Sequence, residues 1–294
     1  MSRIANESGR LKVVLPDGTA DVERASDKLF SSDPQAIYER WDEFQEWLGR
    51  TKLSADARRA VGKDVRSPVP GPRQIVGIGI NYKSHLTMES LAPPESPAIF
   101  MRGLTSMTGP NGDVPIYNES VVTEAELAVV FKKKAFRVPA EKALDYLAGA
   151  TAAQDMIDPT AVAYGKKLDG KVVGRYNNGA KSFPGFAPIG PDFVSIDALG
   201  DISNIDIACD IDGKPFQRGN TSDMFFGIHE LIARITHTML FLPGDLILTG
   251  TPGRVAGAEH VRLKVGNVIT VRVGSIGEQR NHVIDGNIDP GVYL

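Results

Sequence analysis

The sequence is poor in cysteine, and this limits the class of protein it can encode. Cys209 is the single cysteine among 294 residues, so no disulfide can form within the chain. A chain without disulfides fits a reducing compartment, and the first residues, Met1 to Asn6, lack the apolar core of a signal peptide. We therefore expect a cytoplasmic protein in which Cys209, within an alternating strand pattern, is a small apolar core residue.

Long apolar runs and an excess of one charge are also missing. No segment approaches the roughly 20 apolar residues that a membrane-spanning helix needs. The 33 Lys and Arg residues nearly balance the 36 Asp and Glu residues, and no basic stripe is present, so neither a membrane nor nucleic acid is an expected partner. Hydrophobic residues make up 42% and charged residues 23% of the sequence, which is typical of an ordinary globular protein.

Proline and glycine indicate how the chain is divided. Residues 62–72 contain three prolines and two glycines, which we interpret as a linker. It would end a small N-terminal α+β module, residues 1–70, and precede a larger domain, residues 71–294. The second part begins with a strand pattern at 74–80, whose Gly77-x-Gly79 pair lacks the third glycine and the helix of a dinucleotide-binding loop. We expect a mixed α/β, β-rich fold.

Two carboxylates interrupt the most strand-like stretch of the sequence, residues 121–131. In a strand, residues i and i+2 share a face, so Glu124 and Glu126 should lie a few ångströms apart. At about 5 Å two carboxylates repel by about 3 kcal/mol at an effective dielectric constant near 20. Either both face water on an edge strand or a cation lies between them. The uniformly apolar residues after Glu126 favour a buried strand and a site for a hard cation.

Together with this glutamate pair, segments along the chain resemble, in order, six motifs of the fumarylacetoacetate hydrolase family. The segments are Gly79-Ile80-Asn81-Tyr82 with His85, Phe100-Met101-Arg102, Glu124-Ala125-Glu126-Leu127, Asp155, Lys181-Ser182-Phe183, and Pro243-Gly244-Asp245 through Leu248-Thr249-Gly250-Thr251-Pro252. Each is weak alone, but the ordered set is specific and covers about residues 74–283. The resemblance implies a mixed β-roll domain, a homodimer, and a small-molecule dioxo acid as substrate.

The resemblance also implies a metal site and residues that contact the substrate. Carried over from the family, Glu124, Glu126 and Asp155 would hold Mg²⁺ or Mn²⁺, and three oxygen ligands would leave open positions for water and substrate. Lys181 would face the oxygens of the substrate. The hydroxyl of Thr251 would bind a substrate carboxylate, and Tyr82 would also bind substrate.

Two further site residues follow from the chemistry of the family reaction. An unperturbed imidazole titrates near pH 6.5, which makes His85 the candidate base that activates water. Glu89 lies four residues later, on the same helical face, and could orient this imidazole. Arg102 is a candidate second clamp on the substrate, with a plain surface arginine as the alternative.

The chain departs from the family pattern at three places. Met88 stands where many members have glutamate, one residue before Glu89. The segment Asp155 to Pro159 lacks the arginine that helps members bind substrate, and Arg175 is a candidate replacement. Residues 156–180 form a long stretch rich in Gly, Lys and Asn, which we interpret as a possible lid.

The sequence therefore predicts a metal-dependent hydrolase that cleaves a C–C bond in an acylpyruvate-like or other β-diketo acid. An isomerase, tautomerase or decarboxylase on the same metal site, acting on a hydroxymuconate- or oxaloacetate-type acid, is the alternative. A metal-stabilised binding protein without turnover is a third possibility. Resemblance of fold does not choose among them.

Overall fold

The computed structural model describes residues 2–89, 91–162, 167–168, 171–172 and 177–287. Within these ranges the chain forms an eleven-stranded sheet, a five-stranded sheet and a separate pair of short strands. In this described part no helix has both the length and the apolar composition needed to cross a membrane.

Strands and short helices alternate along the chain. The strands are β1 (Arg3–Glu7), β2 (Arg10–Leu15), β3 (Gly18–Asp21), β4 (Val65–Arg66), β5 (Ile75–Gly79), β6 (Ala98–Arg102), β7 (Met107–Thr108), β8 (Val114–Ile116), β9 (Ala125–Phe131), β10 (Leu147–Gln154), β11 (Lys167–Leu168), β12 (Lys171–Val172), β13 (Ala187–Ser195), β14 (Asp206–Ile211), β15 (Lys214–Asn220), β16 (Leu246–Leu248), β17 (Val268–Val273) and β18 (Gly277–Asp285). The α-helices are α1 (Val22–Ala25), α2 (Trp41–Arg50), α3 (Lys83–Met88), α4 (Pro159–Val162), α5 (Asn177–Lys181), α6 (Ile196–Leu199) and α7 (Ile228–Thr236). Short 3-10 helices span Ala36–Arg40, Gly62–Asp64, Leu104–Ser106, Ala140–Tyr146 and Thr221–Asp223.

The larger sheet has the strand order β3-β2-β1-β13-β10-β9-β16-β5-β6, with β4 paired to β1 and β7 paired to β13. Most neighbours are antiparallel, but β16 runs parallel to β5 and β7 runs parallel to β13. The smaller sheet has the order β15-β14-β17-β18-β8. This architecture confirms the predicted fold class, a mixed α/β, β-rich chain with an α+β region at its N-terminus.

The N-terminal strands extend the sheet that carries the candidate site. β1 pairs with β13, so Ile4 lies opposite Phe193. Aromatic rings from the N-terminal region cover this junction, with Tyr38 and Trp41 in edge contact with Phe193. The regions on either side of residue 70 therefore share one sheet, and the predicted domain boundary there stays a prediction.

Strand β9 lies between the two apolar cores of the molecule. All seven of its residues are buried. Ala128 and Val130 pack in the core that the N-terminal region completes, whereas Leu127 and Val129 pack in the core beneath the smaller sheet. A strand that is buried on both faces is expected to be apolar throughout, which explains the unbroken apolar run after Glu126.

The predicted strand over residues 121–131 begins later than expected. β9 starts at Ala125, so Glu124 is the residue immediately before the strand. The N–H of Ala125 donates to the side chain of Gln217 at 2.9 Å instead of to a neighbouring strand, and this side-chain bond marks the end of the ladder.

A buried carboxylate in the N-terminal region gives a prediction about stability. The Asp21 side chain is fully buried and accepts hydrogen bonds from Arg10 Nε at 2.6 Å and Lys12 Nζ at 2.9 Å. The bond from Arg10 outweighs burial and holds the pKa of Asp21 well below its usual range. We expect Asp21→Asn to lower the free energy of unfolding by about 3 kcal/mol at pH 7, because it leaves two cations without their partner.

The effect of Asp21→Asn should depend on pH. The folded pKa lies below the unfolded value of about 3.9, so the contribution of Asp21 is fully present well above pH 4 and is lost as pH falls through the folded value. Urea denaturation at pH 7 and pH 3 would show the difference from wild type shrinking at pH 3. Asp42→Asn, at a mostly exposed carboxylate paired with Lys132, should change stability by under about 1 kcal/mol. A difference that does not change between the two pH values would contradict the account.

Candidate metal centre

Three carboxylates meet where strands β9 and β10 lie side by side. Glu124 immediately precedes β9, Glu126 lies within it, and Asp155 immediately follows β10. The antiparallel register places Ala153 opposite Glu126. The N–H of Asp155 donates to the carbonyl oxygen of Glu124 at 2.8 Å, which fixes the two backbones together. One oxygen atom from each of the three carboxylates lies within 4.8 Å of the others.

The two glutamates have different electrostatic environments. Burial, followed by repulsion from Glu124, raises the pKa of Glu126 to about 8, although Lys181 and a hydrogen bond from Gly250 N at 2.7 Å oppose this. Burial would also raise the pKa of Glu124, but the charges of Lys181 and His85 lower it below its usual value. Glu126 is therefore a buried carboxylate whose negative charge the protein compensates poorly.

Lys181 lies between two of the carboxylates. Its Nζ atom is 2.8 Å from Glu124 Oε2 and 2.5 Å from Asp155 Oδ2. The same atom lies 4.6 Å from the centre of the Phe100 ring. The ammonium group thus contacts the acidic cluster and neutralises part of its negative charge, and the predicted contact between Lys181 and substrate oxygens stays a prediction.

Arg102 is buried behind the cluster, so the alternative of a surface arginine is wrong. Its side chain is completely buried and forms an ion pair with Asp155. The guanidinium also donates to the carbonyl oxygens of Lys181 and, at 2.9 Å, of Phe186. Burial lowers the pKa of Arg102 to about 9. These contacts hold Asp155 in place, and the predicted contact between Arg102 and substrate stays a prediction.

His85 lies beside the acidic cluster on helix α3. The start of α3 contacts the turn after β16, where Gly253 N donates to Ser84 Oγ at 3.2 Å, and the charge of His85 helps to lower the pKa of Glu124. His85 is buried, and its Nδ1 atom has no hydrogen-bond partner among the described residues. Glu89 follows the end of α3 and donates its backbone N–H to the carbonyl oxygen of His85 at 3.0 Å. Because Nδ1 has no partner, the Glu89 carboxylate does not bind it in this structure. The role of Glu89 in orienting His85 stays a prediction.

The two predicted substrate-binding residues Tyr82 and Thr251 differ in their hydrogen bonding. The Tyr82 hydroxyl is buried without a hydrogen-bond partner in the described part of the chain, and burial followed by the charge of Glu126 raises the pKa of Tyr82 well above its usual value. The Thr251 hydroxyl donates to Ala125 O at 2.8 Å and accepts from Gln217 Nε2 at 2.7 Å. Thr251 could donate to a substrate carboxylate only by giving up its bond to Ala125.

Arg254 is a residue near the site that sequence reasoning missed. It lies just after the Gly250-Thr251-Pro252 turn, and its charge acts on both Glu124 and Glu89. Its guanidinium donates to Glu259 O and lies 5.5 Å from the centre of the Phe216 ring. The available signal was an arginine three residues after a motif threonine. Arg175, the predicted substitute for the missing family arginine, lies outside the described residues, as does much of the predicted lid.

A comparison with protein families identifies the group of proteins that share this arrangement. Residues 74–284 match the model of the fumarylacetoacetate (FAA) hydrolase C-terminal family. The chain belongs to the fumarylacetoacetate hydrolase family. The family that the six ordered motifs indicate is thus confirmed, and the matched range contains all nine predicted site residues.

Two proteins similar to this chain illustrate how the names of its relatives differ. The human protein named oxaloacetate tautomerase FAHD2A, mitochondrial, is 34% identical over 224 residues, which cover 74% of this chain and 68% of the human protein. A crystal structure of a candidate HpcE protein from Mycobacterium smegmatis is 34% identical with a TM-score of 0.88, and the match covers 97% of this chain and 100% of that one.

A third match is to a solved structure with lower sequence identity. The crystal structure of maleylpyruvate hydrolase from Sphingobium sp. SYK-6 in complex with manganese (II) ion and pyruvate has a TM-score of 0.75 and 24% identity, with coverage of 97% and 100%. At this identity the likeness shows the shared fold only. Because the matched family is named for a hydrolase and the human relative is named a tautomerase, family membership alone does not fix the reaction.

The residues of this fumarylacetoacetate hydrolase family member fit a hard divalent cation. The cluster offers only carboxylate oxygens, which are the donors that Mg²⁺ and Mn²⁺ prefer. The three carboxylates outnumber the two buried cations, Lys181 and Arg102, that contact them. Since Glu126 is left poorly compensated, a bound cation would balance a charge that the protein alone does not.

Proposed function

We propose that this protein is a divalent-metal-dependent hydrolase that cleaves a C–C bond in an acylpyruvate-like or other β-diketo acid. The observation that carries the proposal is the cluster of Glu124, Glu126 and Asp155 with His85 and Lys181 beside it. Mg²⁺ or Mn²⁺ would be held by the three carboxylates. When bound, such an ion supplies charge stabilisation for an enolate oxygen and open positions for substrate oxygens.

In this proposal His85 takes a proton from water. The resulting hydroxide adds to the carbonyl carbon distant from the carboxylate, and the C–C bond next to that carbonyl breaks. The electron pair of this bond passes to the leaving carbon, which becomes an enolate and then accepts at carbon the proton that His85 took from water. The products are a carboxylic acid and a 2-oxo acid. The unpartnered Nδ1 atom of His85 supports this role, since a base needs a free lone pair.

The remaining side chains bind and orient the acid. Lys181 carries a positive charge next to Glu124 and Asp155, where it could donate to a substrate oxygen. The unpartnered hydroxyl of Tyr82 is a second donor inside the site. Thr251 and Arg102 hold the backbone and the ligands in place, and a contact with the substrate would need rearrangement of their present bonds.

Arg254 is our candidate for binding a second carboxylate of the substrate. We expect Arg254→Gln to raise KM by about 10- to 100-fold with a smaller change in kcat, because a hydrogen bond to a charged group contributes about 1.5–3 kcal/mol. Steady-state kinetics with mono- and dicarboxylate substrates would measure this. Arg262→Gln is the matched control, since Arg262 donates to the same carbonyl of Glu259, and its KM should not change. Equal KM values for Arg254→Gln and wild type would remove Arg254 from this role.

The reaction itself is tested by identifying products. A panel of dioxo acids is incubated with Mg²⁺ or Mn²⁺, and loss of the enol absorbance is followed together with mass spectrometry. Two carboxylic products and consumption of one water are expected. Release of CO₂ would show decarboxylation instead, and a spectral change without change of mass would show tautomerisation.

Tautomerisation or isomerisation is the second candidate function. Among the described residues no hydrogen bond joins the Glu89 carboxylate to Nδ1 of His85, and without this orienting contact water activation by His85 would be weaker. Moving a proton between carbon and oxygen needs no water and could use the same metal site. The human relative named oxaloacetate tautomerase supports this alternative. The homodimeric assembly and the cytoplasmic location stay predictions.

A further inference from the structure

Two buried glutamines hold the residues on either side of Glu124. Thr123 Oγ1 donates to Gln154 Oε1 at 3.0 Å, and Ala125 N donates to Gln217 Oε1 at 2.9 Å. Both glutamine side chains are buried, with exposures of 0% for Gln154 and 2% for Gln217. Glu124 is therefore fixed through both of its neighbours by side-chain amides.

Gln154 connects two of the three acidic residues. It immediately precedes Asp155, and through Thr123 it is bonded to the residue that immediately precedes Glu124. Its two N–H groups donate to Gln279 Oε1 at 2.9 Å and to Asn281 Oδ1 at 2.6 Å. Both of these acceptors lie in strand β18 of the smaller sheet, so Gln154 joins the metal-site end of β10 to that sheet.

The two acceptors are themselves held firmly. The two N–H groups of Gln279 Nε2 are shared among three backbone carbonyl oxygens, including that of Gly190 at 2.9 Å, and Asn281 Nδ2 donates to Gly112 O at 2.8 Å. Both side chains are fully buried. The amide of Gln154 thus belongs to a buried network whose members all have partners, and such a network adopts one arrangement.

Gln217 connects the smaller sheet to the turn that contacts the third acidic residue, Glu126. Its Nε2 atom donates to Thr251 Oγ1 at 2.7 Å and to Pro252 O at 2.8 Å, while its Oε1 atom accepts from Ala125 N. The same turn carries Gly250, whose N–H donates to Glu126 Oε2 at 2.7 Å. Gln217 lies in β15, again in the smaller sheet. It therefore ties the glutamate strand to the turn that orients the Glu126 carboxylate.

We propose that Gln154 and Gln217 are positioning residues that fix the spacing of Glu124, Glu126 and Asp155 and thereby set the affinity for the divalent cation. The proposal rests on the proposed metal-dependent function. Its basis is that, within the described part of the chain, the smaller sheet contributes none of the three grouped carboxylates but reaches all three ligand segments through these two amides. Loss of either amide would free one segment and weaken metal binding without removing a ligand.

The test measures Mn²⁺ binding directly and does not depend on activity. Free Mn²⁺ is titrated by electron paramagnetic resonance with wild type, Gln154→Met and Gln217→Met, since methionine keeps the length of glutamine without its hydrogen bonds. We expect the dissociation constant to rise by about 10- to 100-fold in each variant. Asn6→Leu is the matched control because Asn6 is a buried amide in β1 that bonds Ser67 O at 2.8 Å, and its Mn²⁺ affinity should equal that of wild type.

Thermal melting of the same proteins separates positioning from general stability. If Gln154→Met and Gln217→Met melt earlier, as Asn6→Leu does, but bind Mn²⁺ like wild type, the two glutamines are only structural and the proposal is overturned. If Gln154→Met does not fold, Thr123→Val replaces it, since it removes one bond to Gln154. If Gln217→Met does not fold, Thr251→Val replaces it, since it removes one acceptor of Gln217 Nε2. An unchanged Mn²⁺ affinity in the replacement also overturns the proposal. Wild type that binds no Mn²⁺ would instead overturn the proposed function, and this inference with it.

Discussion

Glu126→Gln is expected to abolish turnover of a dioxo acid while the chain stays folded. Glutamine keeps the shape of the side chain and can still accept the hydrogen bond from Gly250 N. It removes the buried negative charge that a divalent cation would balance, and with it one of three metal ligands. The loss of turnover should be on the order of 10³-fold, since a metal ion contributes several kcal/mol to transition-state stabilisation.

The measurement for Glu126→Gln combines kinetics with melting temperature. In metal-free buffer the variant should melt no earlier than wild type, because burial disfavours the charged form of Glu126, as its pKa of about 8 indicates. Added Mg²⁺ should raise the melting temperature of wild type but not of the variant. Glu119→Gln, at a nearby exposed glutamate, is the control and should keep full activity. Undiminished metal-dependent turnover in Glu126→Gln would refute the assignment of this ligand.

His85→Gln is expected to lower kcat for hydrolysis by about 10²- to 10⁴-fold, the range that a general base contributes. The dissociation constant of this variant for Mn²⁺ should stay within about threefold of wild type, because His85 is not one of the three residues grouped as metal ligands. The two readouts together separate loss of a base from loss of the metal.

A control and a substrate comparison make the His85 result decisive. His229→Gln alters an exposed histidine on helix α7 and should leave kcat unchanged. The rate of proton exchange at the substrate methylene group, measured in deuterated water, should fall less than hydrolysis if the metal alone supports enolisation. Hydrolysis at the wild-type rate in His85→Gln would exclude His85 as the base and would favour a direct attack by another group.

The acidic site could be predicted from the sequence because it depends on a short-range spacing and on the order of motifs along the chain. The Glu124-x-Glu126 spacing requires only strand geometry, and the six motifs occur in the order of the family along the chain. The structure brings these residues together with Asp155 as expected. The start of β9 was predicted too early, because the bond from Ala125 N to Gln217 involves a residue 92 positions away.

Other features depend on contacts that a single sequence does not reveal. The sequence made Arg102 a candidate substrate clamp, with a surface arginine as the alternative, but at the end of β6 it is buried in an ion pair with Asp155. The pairing of β1 with β13 joins residues such as Arg3 and Val194, which are 191 positions apart, and no local pattern encodes that register. The amides of Gln154 and Gln217 give no motif signal at all, since each acts through partners on distant strands.

The central claim is that one divalent ion binds between the three carboxylates, and anomalous scattering from crystals grown with Mn²⁺ tests it most directly. The account predicts one strong anomalous peak per chain, within about 2.0–2.4 Å of an oxygen from each of Glu124, Glu126 and Asp155. No peak at this position in excess Mn²⁺, or a peak elsewhere with the three carboxylates still bonded only to protein, would contradict it.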